Sequence, residues 1–366
     1  SSANSVPNVA RTTIVSFPDR HFIAGGCQAY VVGGGTGNVD NMLVRWSTQE
    51  DFSVWNPTST NTAGDQRLQV GTKIITMVSA REETIISTDE AIYGMTFVGG
   101  AFVFSFRLLA TNAGAAGLNT MVSVDGNVFW MGKRNFFTYD GIVKEIPCPV
   151  QHFVFDRMQT RYIDKVVTGH NKEFKEITWF YVSDQNTETT NPENDSYVTY
   201  NYDQKIWYYG TLSRTVWLDR GVNAEPIAAG ADHYLYLHEI GFDDGSTSPA
   251  TAITSYIESS QMDLGDGEQF AFMRRLIPDM TFRNSTAPVP SATMTLKVRN
   301  FPGGNYLDSN ANTITKTASV PVEQFTEQVF VRLRGRSFAF RIESEDTGVA
   351  WRLGSPRVDI RPDGRR

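Results

Sequence analysis

Residues 121–146, MVSVDGNVFWMGKRNFFTYDGIVKEI, hold three or four short runs rich in Val, Ile, Phe, Trp and Tyr, separated at Asp125-Gly126, Gly132-Lys133 and Asp140-Gly141. β-Branched and aromatic residues suit a pleated strand, and Asp-Gly pairs tolerate the backbone of a tight turn, so the stretch is written as a small antiparallel meander. Along its second run Val128 and Trp130 point to one side and Phe129 and Met131 to the other. Both sides are apolar, which predicts a sheet covered on both faces, as a propeller blade is by its neighbours.

The same theme recurs near residues 22, 85, 128, 178 and 233, at intervals of about 40 to 60 residues that suit propeller blades. The copies are too divergent for a named repeat. Ala101 to Phe106 (AFVFSF) alternates as a strand does, Thr111 to Leu118 (TNAGAAGL) reads as a loop because of its two glycines, and Val150 to Arg161 is the best candidate for a short helix. Composition shifts at Gly241 to Pro249 (GFDDGSTSP), a candidate boundary. Beyond it the strands lengthen: Met294, Leu296 and Val298 alternate with Thr293, Thr295 and Lys297, and Phe338 and Phe340 with Ala339 and Arg341. One covered and one wetter face predicts a β-sandwich. The expected organisation is all-β: an arm or remnant of a longer chain over 1–15, a β-propeller-like domain of irregular blades over 16–245, and a β-sandwich-like domain over 246–366.

Composition narrows the function. The 366 residues carry a net charge of -7, against tight gripping of nucleic acid, which is built from clustered Lys and Arg. The acidity is uneven: residues 1–249 hold 18 Lys/Arg against 27 Asp/Glu, and residues 250–366 hold 15 against 13. Cys27 and Cys148 fit neither a metal-ligand spacing nor a disulfide framework and read as buried thiols in a reducing compartment. No apolar run is long enough for a membrane span, and the polar start, without an initiator Met, suggests processing or a beginning inside a longer chain.

Sites of chemistry are sparse. Ser123 to Trp130 faintly resembles the Asp-box turn of sialidases, but its Gly comes one place early and Phe129 replaces the Thr, so Asp125 reads as a hairpin residue. His233 and His238, five apart on a strand, point to opposite faces and cannot readily share a metal. Gly33 to Asn38 lacks the Lys-Ser/Thr pair and the helix of a phosphate cradle, and Asp263 to Glu268 lacks the regular oxygen spacing of a calcium loop. No nucleophile elbow, zinc-protease pair or P-loop is present, so neither enzymatic activity nor a cofactor is expected. The marked cationic cluster is Arg332, Arg334, Arg336, Arg352 and Arg357, running on to Arg361, Arg365 and Arg366, with Glu343, Glu345, Asp346, Asp359 and Asp363 interleaved. Mixed charge of this kind suits an ion-paired subunit interface better than a phosphate-binding strip.

Several stretches together resemble the tail tubular protein B, or nozzle protein, family of short-tailed bacteriophages. They are Ile257-Glu258-Ser259 through Met262 to Phe270 (MDLGDGEQF), Arg274 to Asp279 (RRLIPD), Gly335-Arg336 to Phe340-Arg341-Ile342-Glu343, Trp351-Arg352-Leu353-Gly354 and Asp359-Ile360-Arg361-Pro362. Upstream, Arg45-Trp46-Ser47 with Trp55-Asn56-Pro57, Ala63-Gly64 and Gly71 is similar to the family's propeller region. The resemblance spans most of the chain, and family members are generally longer. It implies a structural virion protein in the phage tail, a homohexameric ring forming the distal DNA channel, retaining DNA and passing it at ejection. The implied partners are other copies of itself, a tail adaptor or gatekeeper ring, fibres or spikes, and genomic DNA in transient, non-specific contact. An acidic lumen would let a polyanion slide without sticking. Head-to-tail contacts would join the arginine-rich final sheet to an acidic propeller edge. Two alternatives stay open: a propeller-type tail protein that binds or hydrolyses glycan, and another capsid or baseplate structural protein.

Overall fold

The computed structural model describes residues 5–16, 19–32, 36–263, 267–301 and 316–364. Residues 33–35 of the glycine run, residues 264–266 of the acidic turn, and Arg365 and Arg366 lie outside the described residues. The chain is all-β and forms two compact units, Ser1–Glu239 and Ile240–Arg366.

The first unit is a succession of antiparallel sheets, each a meander in chain order. Sheet 1 is Ala10–Val15, Phe22–Tyr30, Thr36–Trp46 and Gly64–Arg67; sheet 2 is Ile74–Ser79, Thr84–Thr88, Ala91–Gly99 and Val103–Thr111. Sheet 3 is Met121–Val124, Asn127–Met131, Phe136–Tyr139 and Val143–Ile146; sheet 4 is Val167–Asn171, Glu176–Tyr181, Ser196–Asn201 and Ile206–Thr211. Sheet 5 has three strands, Val216–Leu218, Ile227–Ala229 and Leu235–Leu237. The first strand of each sheet lies beside the first strand of the next, the propeller-like arrangement of blades. The recurrences near 22, 85, 128 and 178 fall on the second strands of sheets 1 to 4, while that near 233 falls on a turn of sheet 5.

Sheet 3 shows why. Asp125 (φ 50°) and Gly126 (φ 86°) make the turn between its first two strands, with two successive positive φ values that match the twist of a tight hairpin. Val128 and Trp130 join Ile75, Ile85 and Ile92 of sheet 2 in one apolar cluster. Phe129 and Met131 join Ile177, Trp179 and Val198 of sheet 4 in another. A third cluster, with Ile23, Val44, Ile74 and Ile86, fills the space between sheets 1 and 2. Each fully buried large side chain contributes roughly 1.5–3 kcal/mol, so the alternation along a five-residue strand fixes two interfaces at once. The indoles also tie the sheets: Trp130 Nε1 donates to Ala113 O at 2.7 Å and Trp179 Nε1 to Thr120 O at 3.0 Å.

The expected arm is shorter than 1–15, because Ala10–Val15 is the first strand of sheet 1, with Ile14 opposite Ile23. Its β-branched Thr12, Thr13, Ile14 and Val15 favour the pairing. The expected helix over 150–161 is Gln151–Arg157, followed by a 3-10 turn over Thr160–Lys165.

In the second unit, Met294, Leu296 and Val298 stand opposite Ile342, Phe340 and Phe338. Their side chains meet Ala271, Met273, Val331 and Leu333 from a second sheet in one core, giving a two-layer sandwich. The larger sheet runs Ser255–Glu258, Ser337–Ser344, Ser291–Arg299, Lys316–Glu323, and the smaller runs Val329–Gly335, Ala271–Ile277, Arg357–Pro362. Two of these strands carry weak sequence signals. Lys316–Glu323 contains Pro321 and Arg357–Pro362 ends on proline, and both are edge strands, where a missing N–H is tolerated. Short strands Thr251–Ala252, Ser255–Glu258 and Arg352–Leu353 complete the second unit's periphery.

Candidate functional site

The outer face of the smaller sandwich sheet gathers most of the arginine cluster. Along Val329–Gly335 the buried positions alternate with Phe330, Arg332 and Arg334, which therefore face outward. Across the sheet Arg334 stands opposite Phe272, which stands opposite Arg361; Phe330 stands opposite Arg275, and Arg275 opposite Asp359. Arg357, opposite Ile277, extends the same face, and a bulge between Met273 and Arg275 carries Arg274. Three of the five expected residues, Arg332, Arg334 and Arg357, thus share one surface with the two rings.

The charges on this face differ in role. Arg334 donates to the Asp363 carboxylate and to Asp363 O, and its guanidinium lies 4.2 Å from the Phe270 ring centre, with that of Arg336 at 4.9 Å. These two arginines brace the edge of the sheet. Arg332 and Arg357 are exposed and make no ion pair among the described residues, and Phe330 is 66% exposed. Arginine and aromatic residues in alternation are enriched at protein interfaces, where the planar guanidinium and the ring give area at low entropic cost.

Arg352 is not part of this face. It lines a cleft of about 400 Å3 with Phe242, Ile253, Arg283 and Trp351, whose indole donates to Ser255 Oγ at 2.9 Å.

The stretches that carry the phage-tail resemblance act as joints within each unit. Arg45 is 1% exposed and donates to Gln28 O at 2.9 Å, Ser5 O at 2.9 Å and Trp55 O at 3.0 Å. Trp46 Nε1 donates to Thr62 O at 2.8 Å, and a Cβ on Gly64 would come within 2.5 Å of its ring. In the second unit Glu258 receives Lys297 at 2.8 Å and Arg341 at 3.4 Å, holding its carboxyl below the ordinary range, and Arg341 also pairs with Glu343 at 2.7 Å. Asp279 accepts from Ser355 N at 2.6 Å while Gly354 N donates to Asp279 O at 2.8 Å.

The remaining candidates take structural places. Asp125 lies 3.8 Å from Lys172 across exposed surface. His238 accepts from Arg214 Nε at 2.9 Å, and burial, then Arg214, lowers its pKa to about 4. His233 occupies a turn with φ 70°. Cys27 is buried and Cys148 half-buried, and burial pushes both thiols up to about 11. Among the described residues no group of three or more His, Cys, Asp or Glu is placed to hold a metal ion, and no helix is long and apolar enough to cross a membrane.

Two surfaces in the first unit were not foreseen. One is the polar face of sheet 4 toward sheet 5, where Glu176, Thr178, Tyr197, Thr199 and Tyr208 surround a cavity. Its signal is the alternation in EITWFY and SYVTYN, in which Glu176, Thr178, Tyr197, Thr199 and Asn201 fall on one side, while Ser196 falls with Val198 and Tyr200 on the other. The other is the opposite face of sheet 5, where Val216, Leu218, Leu235 and Leu237 are 57% to 76% exposed.

No protein-family model matches the chain, and no curated protein matches it. Among solved structures, one titled "Glycoside hydrolase" is similar over 96% of this chain and 98% of its own, at 9% sequence identity and a TM-score of 0.30. A likeness this loose bears on neither residue roles nor chemistry.

Proposed function

We propose that the chain is a structural subunit of a bacteriophage tail, assembling head-to-tail into the nozzle ring through which DNA is retained and then released. It acts as a wall, without catalysis or a cofactor. The observation that carries this reading is the outer face of the smaller sandwich sheet, where Phe330, Arg332 and Arg357 are exposed together on a rigid element. Arginine and aromatic residues are enriched at protein interfaces, which supports reading this face as a contact surface. The resemblance of residues 257–279 and 335–362 to the nozzle family supplies the kind of assembly.

A head-to-tail ring needs two unlike patches on each subunit. The cationic and aromatic sandwich face is one, and the more acidic propeller-like unit offers the other. Electron-microscopic class averages of the purified chain test this: a six-fold ring with a central hole is expected. A particle that stays monomeric at every concentration, alone and with the tail adaptor ring, would overturn it.

A further inference from the structure

The space between sheets 4 and 5 is built unlike the others in the first unit. Those between sheets 1 and 2, 2 and 3, and 3 and 4 are filled by Ile, Val, Met, Phe and Trp. On sheet 4 the side facing sheet 5 instead sets Asn171, Glu176 and Asn201 in one cross-strand row and Gly169, Thr178, Thr199 and Tyr208 in the next. Around these a cavity of about 140 Å3 is closed by Trp217, His238 and Glu239. Part-buried polar groups need partners, and their use where neighbouring sheets use hydrocarbon leaves a polar-lined space that a hydrogen-bonding ligand can share.

The lining has a definite chemistry. Thr178 Oγ1 and Thr199 Oγ1 are 2.8 Å apart, and Asn171 Nδ2 donates to Glu239 Oε1 at 3.0 Å. Burial raises the pKa of the Glu176 carboxyl, and the neighbouring Tyr208 hydroxyl and Asn201 side chain draw it partly back down. Burial also raises that of Glu239. Trp217 is pinned against sheet 4, its Nε1 donating to His170 O at 2.9 Å and its ring stacked 6.0 Å from Phe180. A Cβ at Gly169 would fall 2.7 Å from that indole, so glycine there lets it approach. Among the described residues neither Lys nor Arg lines the cavity.

We propose that this cavity binds one neutral sugar ring, the terminal pyranose of a glycan. The carboxylate, amide and hydroxyl groups of the lining can donate to and accept from sugar hydroxyls, and Phe180, Tyr197 and Trp217 give the same cavity an apolar part for the C–H groups of the ring. The two carboxyl groups repel phosphate and carboxylate, which excludes nucleic acid and acidic sugars. Against the ~10–15 Å3 that admits one water, the cavity takes a single ring and not a buried chain. The site lies within the first unit and does not depend on ring assembly.

Ligand-observed NMR and calorimetry on the full chain test the proposal, with the methyl glycosides of glucose, galactose, mannose, rhamnose and N-acetylglucosamine as probes and methylammonium as the cationic rival. At least one glycoside is expected to bind, and Glu176→Gln, which keeps the shape and removes the charge, is expected to weaken it at least about tenfold. If Glu176→Gln fails to fold, Tyr208→Phe, at a position 38% exposed, replaces it with the same expectation. Binding of none of the five glycosides, unchanged affinity in the folded variant, or tighter binding of methylammonium would each overturn the proposal.

Discussion

At the scale of single residues, a few buried polar groups carry more of the structure than their number suggests. Arg45 is the clearest: within sheet 1 it gathers three carbonyls, from Ser5, Gln28 and Trp55, and so ties the chain's beginning and the loop after Trp46 to the sheet. Burial lowers its pKa, but the charge is retained because three oxygens face it. Replacing it by Met fills the space and strands the three acceptors, at about 1–3 kcal/mol each before relaxation. Arg45→Met is therefore expected to lower stability by about 3 kcal/mol or more in urea unfolding, and a loss below about 1 kcal/mol would show that the clamp is dispensable. His238 gives a pH signature. Its imidazole titrates near 6.5 when free and about 4 here, so the unfolded chain binds a proton over a range in which the folded chain does not. The stability tied to its neutral form is present above pH 6.5 and is lost as pH falls toward 4; Glu239, raised by burial, acts in the opposite sense over its own range. Thermal melts of His238→Gln should fall less steeply than wild type between pH 7 and pH 4, and parallel curves would remove His238 as the cause.

At the scale of elements, what the sequence makes legible is alternation, and what it hides is the partner. Val128-Phe129-Trp130-Met131 announces a strand covered on both sides, and the two covers are sheets 2 and 4. The same reading succeeds for Met294, Leu296 and Val298. It fails where the strand is an edge, since Pro321 and Pro362 dilute the β signal without preventing pairing. It also passes over the polar side of sheet 4, because Thr, Glu and Tyr in alternation with Ile, Trp and Tyr look like a solvated face until a fifth sheet is placed over them. Sheet 5 carries an apolar face that is open: Val216, Leu218, Leu235 and Leu237 are exposed, a face of the kind proteins use for contacts. Leu235→Ser with Leu237→Ser should change stability by only about 0.5 kcal/mol per site, because little burial is lost, while reducing self-association in sedimentation velocity. A drop of several kcal/mol would show that the face is covered within the monomer.

At the scale of the molecule, charge is divided along the chain, 18 Lys/Arg against 27 Asp/Glu before residue 250 and 15 against 13 after it. The sequence shows the cationic cluster but not its division of labour. Arg334 and Arg336 converge on Phe270 with Asp363 beside them, so reversing them would damage the sheet edge as well as any contact. Arg352 belongs to a separate cleft. The informative positions are Arg332 and Arg357, exposed on the outer face and without an ion pair among the described residues. If that face meets an acidic patch of the next subunit, Arg332→Glu with Arg357→Glu places like charges in contact, which slows encounter and costs several kcal/mol. Rings should then disappear in class averages while the monomer's melting temperature stays close to wild type, since substitutions at such exposed sites change folding stability little. Salt supplies an independent arm: the screening length shortens from about 8 Å at 0.15 M to about 3 Å at 1 M, so wild-type rings held by exposed charges should shift toward smaller species on a sizing column. Rings that survive both the double reversal and 1 M salt would place the contact elsewhere, with the apolar face of sheet 5 as the surface to alter next.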